Sequence, residues 1–354
     1  MLNIEKKVNL AHLSCRNHII RSAVHSFLGT KDGFMTDAEY TMYETLAQHD
    51  IGMVITGHCC VSPLGRANEE QTNIFADRYI PQLTRAAELM HRYDTRFIVQ
   101  INHAGPRAVG VEDLADVTAR VLKKHRQARE LTLEEIAAIE QDFVEAAVRV
   151  QRSGADGVQI HAAHSYLISR FIDTTFNQRT DSYGGSRENR FRLLEQVICG
   201  IKKRCGEDFP VLVKINSDTR TDDAAYEADL GWMLQRMKEL GVELVELSGA
   251  DFIDLPHDAV LYYLERTARL RQLVDLPMSL VGGVRSLADM EQVLSSGIDM
   301  VSLGRPLIAE PDLVTKLLAG QPQAKCVSCS RCFVMPHMYP GIRCILHRPH
   351  RRKA

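Results

Sequence analysis

Residues 132–164 read TLEEIAAIEQDFVEAAVRVQRSGADGVQIHAAH. The first part carries a helical pattern near 132–152. Thr132 opens it with Glu135 at the capping-box position, and Gly154 follows its end. A short apolar run, 157–160, then stops at His161-Ala-Ala-His164. A short apolar strand that follows a long helix reads as a strand buried on both faces, within a parallel βαβ unit.

Working outward, the same alternation fills almost the whole chain. Strands are expected at 19–23, 52–56, 96–101, 157–160, 210–215, 244–247, 277–281 and 300–303. Helices are expected near 37–49, 77–93, 132–152, 187–204, 224–240, 260–273, 286–296 and 310–319, with Gly241 and Gly297 again following helix ends. Eight such units make an α/β fold of the (β/α)8 TIM-barrel class, with an open doubly wound sheet as the competing arrangement. The barrel is assigned to 1–320, and 321–354 to a short Cys-rich C-terminal extension. Two long connections, 104–131 and 170–185, follow the third and fourth strands and are expected to shape a site.

The 354 residues suit one barrel with insertions; they are 45% hydrophobic and 25% charged, with a net charge of −2. That balance gives no reason to expect a nucleic-acid or membrane-surface partner. No apolar stretch approaches the ~18 residues that span a bilayer, and the start MLNIEKKVNLAHLS has no signal-peptide core. A cytoplasmic protein, homo-oligomeric and acting on a small molecule, is the expectation. The basic end 347–354 reads as a frayed tail.

The strand ends carry the chemistry. They read Ser22-Ala23-Val24-His25, Gly57-His58, Gln100 with Asn102-His103, His161-Ala-Ala-His164, Lys214 with Asn216, Ser248-Gly249, Gly282-Gly283 and Gly304-Arg305. In a barrel these ends converge on one face, where such folds place their active sites. Gly282-Gly283 and Gly304-Arg305 offer exposed backbone N–H groups and a guanidinium, the parts of a phosphate site, or else simply two short βα turns. His161 and His164 supply two N–H donors or two metal ligands; His103 could be a third ligand, but no motif fixes it. Tyr166 follows on the same face, as a proton donor or as packing. Lys214 stabilises an anion at the mouth or pairs with a carboxylate, and Gln100 can satisfy a ring amide edge.

Nine cysteines are present, and Cys326, Cys329, Cys332 and Cys344 fall within nineteen residues. Without an export signal, that cluster reads as metal or redox chemistry before disulfides.

Arg16-Asn17-His18-Ile19-Ile20-Arg21-Ser22, Gln100-Ile-Asn-His103-Ala-Gly105, His161-Ala-Ala-His164-Ser-Tyr166-Leu and Asn177-Gln-Arg179-Thr-Asp181-Ser-Tyr183-Gly-Gly185 resemble the old yellow enzyme (NADH:flavin oxidoreductase) family. Glu188-Asn189-Arg190, Val281-Gly-Gly283 and Leu303-Gly-Arg305-Pro306 extend the resemblance across about residues 10–320. It implies noncovalent FMN at the barrel mouth and ping-pong hydride transfer from NAD(P)H to small α,β-unsaturated carbonyl compounds. It further implies that Ser22, Ala23, Val24, Gly57 and His58 line the flavin ring, with Gln100 on the pyrimidine edge and Lys214 near N1. Gly283, Gly304 and Arg305 would hold the phosphate, His161 and His164 the substrate carbonyl, and Tyr166 would protonate Cα.

Departures from the family pattern are His25, a candidate substrate-binding residue where relatives often carry a small thiol or hydroxyl near the flavin O4, the bulky His58-Cys59-Cys60, and Asn102 in place of an apolar residue. Longer relatives, of the 2,4-dienoyl-CoA reductase type, carry an iron–sulfur cluster on C-x3-type cysteine spacing, where this chain has C-x2-C-x2-C-x11-C. The four cysteines are therefore candidates for a [4Fe–4S] cluster, a zinc site or plain thiols. Two other functions stay open: an electron-transfer flavoprotein subunit with that cluster, and a metal-dependent barrel lyase or hydrolase.

Overall fold

Eight short strands pair in parallel and close on themselves. The computed structural model describes residues 2–122, 125–219, 223–250, 252–253 and 255–347. Its barrel strands are β1 (Ile19–Arg21), β2 (Met53–Ile55), β3 (Arg96–Asn102), β4 (Gly157–Ala162), β5 (Val211–Asn216), β6 (Leu244–Ser248), β7 (Met278–Val281) and β8 (Met300–Leu303). Each pairs with the next, and β8 returns to β1 with Leu303 opposite Arg21. The helices that follow them are α1 (Asp37–Gln48), α2 (Ile80–His91), α3 (Leu133–Arg152), α4 (Arg187–Cys205), α5 (Asp223–Glu239), α6 (Leu264–Leu273), α7 (Leu287–Ser295) and α8 (Leu313–Leu318).

Local chemistry starts several helices where the sequence suggests. Thr132 and Glu135 form the expected capping box on α3, Ser286 and Asp289 form one on α7, and Ser186 caps α4. α6 begins later than expected because Leu261, with φ +48°, stands in the left-handed region, which an α-helix cannot include. The connection 104–131 is more ordered than a plain loop. It contains a small sheet of Ala115–Asp116, Arg120–Val121 and Gln127–Glu130. The second connection begins inside a short helix, Leu167–Ile172. Beyond residue 347 the basic tail lies outside the described residues.

The barrel interior changes character along its axis. At the bottom, Ile20, Met53, Ile55, Ile98, Leu212, Leu244 and Met300 pack against Leu13 and Cys15 of an N-terminal hairpin, Val8–Asn9 with Ser14–Cys15, which plugs that end. Side chains alternate with period two along a strand, so the residue two steps on also points inward. From Ile20, Ile98, Leu212, Leu244 and Met300 that step reaches Ser22, Gln100, Lys214, Glu246 and Ser302. An apolar floor thus gives way to a buried polar layer below the mouth. Among the described residues no helix is long and apolar enough to cross a membrane.

Candidate active site

A cavity of about 390 Å³ opens above that polar layer, within the range of small-molecule and cofactor sites. Its lining includes Ser22, Ala23, Val24, His25, His58, Gln100, His161, His164, Tyr166, Lys214, Gly283, Gly304 and Arg305. Of the residues expected to hold flavin or substrate, only Gly57 is absent from that lining. Its N–H donates to Tyr43 Oη at 3.0 Å, and a Cβ on it would press on Val24 O and His25 Cα at 3.0 and 3.2 Å, so it sits behind the wall.

The reason is a bulge. β2 pairs Ile55 with Ile98, but Cys59 pairs with Ile101, so Thr56-Gly57-His58 face only two residues of β3. One extra residue turns the chain and aims His58 into the cavity.

The polar layer is hydrogen-bonded through. Gln100 Nε2 donates to Gln159 Oε1 at 2.7 Å, and Gln159 Nε2 donates to Glu246 Oε2 at 3.0 Å. Lys214 Nζ lies 3.4 Å from Glu246 Oε2 and donates to Ser22 Oγ at 2.9 Å. Lys214 is therefore a carboxylate-paired lysine that also lines the cavity. Buried Glu246 Oε1 has no partner among the described residues, nor has either side-chain polar atom of Asn102.

His161 and His164 meet through a chain reversal. No helical turn brings them together: β4 ends at Ala162, and His164 and Ser165 take φ of +59° and +56°. The two rings stand edge to face at 5.2 Å. Ala163 N–H donates to His161 Nδ1 at 3.3 Å. Burial, then the neighbouring His164, His58, Lys214 and Arg107, hold His161 well below its usual pKa. A neutral ring accepting at Nδ1 carries its proton on Nε2. His164 is also held neutral, chiefly by burial, and its Nε2 meets Ser248 Oγ at 2.9 Å. His103 is turned elsewhere, against Gly65, and does not line the cavity. Among the described residues no three His, Cys, Asp or Glu side chains come together as a site for a metal ion. Tyr166 stands 4.8 Å from His161 ring to ring, its phenol raised by burial and partly offset by Arg107.

The glycine corner has the form of a cradle. Gly283 has φ +73°, and a Cβ there would strike Leu261 N at 2.5 Å; one on Gly304 would meet only Val24 Cγ2, at 4.0 Å, on the cavity side. Arg305 is already engaged. Its Nη1 donates to Ser328 O and Ser330 Oγ at 3.0 and 2.8 Å. Those two residues belong to the Cys-rich extension, which folds back over the mouth: Ile342 N–H donates to Ser26 O, and Ser328 and Phe333 line the cavity. Behind it, Cys326, Cys329, Cys332 and Cys344 share a second cavity of about 100 Å³ with Arg305 and Ile308. Burial pushes the Cys332 thiol up to about 12.

Residues 7–324 match the NADH:flavin oxidoreductase / NADH oxidase family. The chain belongs to that family. It is 29% identical over 356 residues to an NADH oxidase of Thermoanaerobacter brockii, a match covering 96% of this chain but 55% of that protein. The chain thus spans about half the length of that relative. With the NADPH dehydrogenase of Bacillus subtilis it shares 28% identity over 308 residues, 86% of this chain and 90% of the other. The old yellow enzyme homologue from Zymomonas mobilis superposes with a TM-score of 0.80 at 24% identity, covering 91% of this chain and 94% of that one. That likeness is one of fold.

Several cavity neighbours in this NADH:flavin oxidoreductase family member escape a reading by strand ends. Gln159 and Glu246 are mid-strand, yet a polar residue inside an apolar strand was a visible signal. Asn68 and Gln71 lie outside regular elements, and Arg107 and Phe333 lie in single-turn 3-10 helices, too short for any periodicity to mark them.

Proposed function

We propose that the chain is an FMN-dependent NAD(P)H oxidoreductase that reduces activated C=C bonds of small α,β-unsaturated carbonyl compounds. One observation carries this reading: a single cavity brings the His161 and His164 rings and the Tyr166 hydroxyl against Ser22, Gln100, Lys214 and the glycine corner. The donor set fits FMN. Gly283 and Gly304-Arg305 would take its phosphate, Gln100 and Lys214 its ring edge, and Ala23-Val24 its face. When bound, FMN supplies hydride chemistry, taking hydride from a nicotinamide and giving it to an acceptor.

The chain's own residues do the rest. The His161 Nε2–H donates to the substrate carbonyl oxygen beside His164, stabilising negative charge as it develops there. Tyr166 gives its proton to Cα. Lys214, though paired, keeps a cation beside the ring edge. The plugged barrel floor and the folded extension exclude water from below and from one side.

The test is direct. Denatured protein releases FMN, NAD(P)H bleaches the holoprotein, and an enone restores its colour. Tyr166→Phe slows the enone step about 10²–10⁴-fold, the value of a positioned general acid, and leaves reduction by NAD(P)H near normal. FAD or no flavin on denaturation, or reduced protein that no enone reoxidises, overturns the proposal. Comparing NADH with NADPH in the same assay selects the donor.

The cysteines support a second reading, an electron-transferring flavoprotein whose extension, 321–354, holds a [4Fe–4S] cluster. All four line one cavity, and four thiolates suffice to hold such a cluster. Anaerobically purified protein should then contain four irons and four sulfides per chain, lost in Cys329→Ser. Protein free of iron refutes this reading.

A further inference from the structure

His58 is an odd residue for a flavin wall, and its surroundings assign it work. Gln71 lies behind it, fully buried. The Gln71 amide has one allowed orientation, because its Oε1 accepts the Ala67 N–H at 2.6 Å. Its Nε2 must then be the donor, and it reaches both His58 O at 3.0 Å and His58 Nδ1 at 2.7 Å. His58 Nδ1 is thereby an acceptor. Burial brings the imidazole down to about 4, so the ring is neutral and its one proton sits on Nε2. That Nε2 lies 3.1 Å from Tyr166 Oη. The tyrosine oxygen is the only acceptor on offer in this contact, so its own O–H points elsewhere, toward the cavity it lines.

We infer that His58, locked in one tautomer by Gln71, is a positioning residue that turns the Tyr166 proton toward the substrate and supports the phenolate left behind. This deepens the proposed function and rests on it. In the proton half of the reduction, Oη gives its proton to substrate Cα and the O–H electron pair stays on oxygen. Bound FMN, once reduced, would supply the hydride for Cβ, and water later returns the proton to Tyr166. Burial alone makes the phenol a poor acid. A hydrogen bond donated by His58 strengthens as charge grows on Oη, which favours the transition state over the ground state. His25 closes the far side of His58, stacked at 4.9 Å and held by Asn68 Oδ1.

Two measurements test this on the flavin-loaded protein. The first is long-range ¹H–¹⁵N correlation of histidine-labelled protein, with the His58 signals identified by their loss in His58→Gln. Nε2 should be protonated and Nδ1 bare from pH 6 to 9, and Gln71→Leu should release a mixture of tautomers. An Nδ1–H tautomer in the wild type, or an imidazolium, overturns the inference. The second is a double-mutant cycle on the enone step. His58→Met should slow it about ten- to hundredfold, the worth of one hydrogen bond to a developing charge, and His58→Gln, which keeps an N–H donor, should recover most of that. In a Tyr166→Phe background, His58→Met should change the rate by no more than about twofold, since the shared interaction is already gone. Additive slowing makes His58 a packing residue and overturns the inference. If no enone reoxidises the wild type, the proposed function has failed, and the NMR result still decides the His58 geometry.

Discussion

Glu39 offers a sharp test of how the mouth is held, through pH. It stands on α1, 2% exposed, and accepts hydrogen bonds from Ser26 Oγ at 2.8 Å and Thr72 Oγ1 at 3.5 Å. It therefore ties the loop that carries His25 to the one that follows His58. Burial raises its carboxyl from an ordinary 4.5 to about 7, against the lowering effect of those two hydroxyls. A folded-state value above the unfolded one means that its stabilising contribution is complete below about pH 4.5 and is lost as pH rises through 7. A change of that size, at about 1.4 kcal/mol per pH unit, is about 3.5 kcal/mol, of which about 3 kcal/mol develops between pH 4.5 and 8. Glu39→Gln mimics the protonated acid and removes the dependence. Urea unfolding of both proteins from pH 4.5 to 8.5 should show equal stability at the acid end. The variant should then gain about 3 kcal/mol over the wild type by pH 8. Taking the difference cancels the buried histidines, which titrate in both. A difference that stays flat across this range refutes the reasoning.

Arg305→Ala should weaken FMN binding by about 1.5–3 kcal/mol, the scale of a charge-assisted hydrogen bond. Because Arg305 also holds Ser328 and Ser330, it should expose that stretch to proteolysis; unchanged flavin affinity and unchanged cleavage refute its double role. His161→Ala or His164→Ala should raise KM and lower turnover with enones while NAD(P)H still reduces the flavin. Stoichiometric zinc in the wild type, lost in both variants, would reverse that assignment. Lys214→Met strands the buried Glu246 carboxylate and should cost about 3–5 kcal/mol in urea unfolding, most of it recovered by adding Glu246→Gln. Equal losses in the single and double variants would show that the pair is not coupled.

The barrel was legible because its strands are mostly apolar on both faces and several of its helices open on a cap, at Thr36, Thr132, Ser186 and Ser286. The cavity was legible because polar and glycine residues stand at the strand ends, which converge on one face of a barrel. Three features were hidden. The bulge that separates Gly57 from His58 depends on register with β3, which a single strand does not encode. The meeting of His161 with His164 depends on two left-handed residues of types that do not require that conformation. The seat of the extension depends on contacts between Arg305 and Ser330, and between Ser26 and Ile342, that no spacing predicts. Gln71 was invisible for the same reason, since its role lies in a partner thirteen residues away.

The folded-back extension separates two demands on the sequence. Ser328 and Phe333 help to enclose the cavity, yet no barrel strand or helix passes through them. Substitutions there can reshape which acceptor fits while the eight βα units, and the polar layer they build, keep their packing. Exchanging 325–347 between relatives would then alter the cavity's cover without altering a barrel strand, provided Ser328, Ser330 and Ile342 keep their bonds to Arg305 and Ser26.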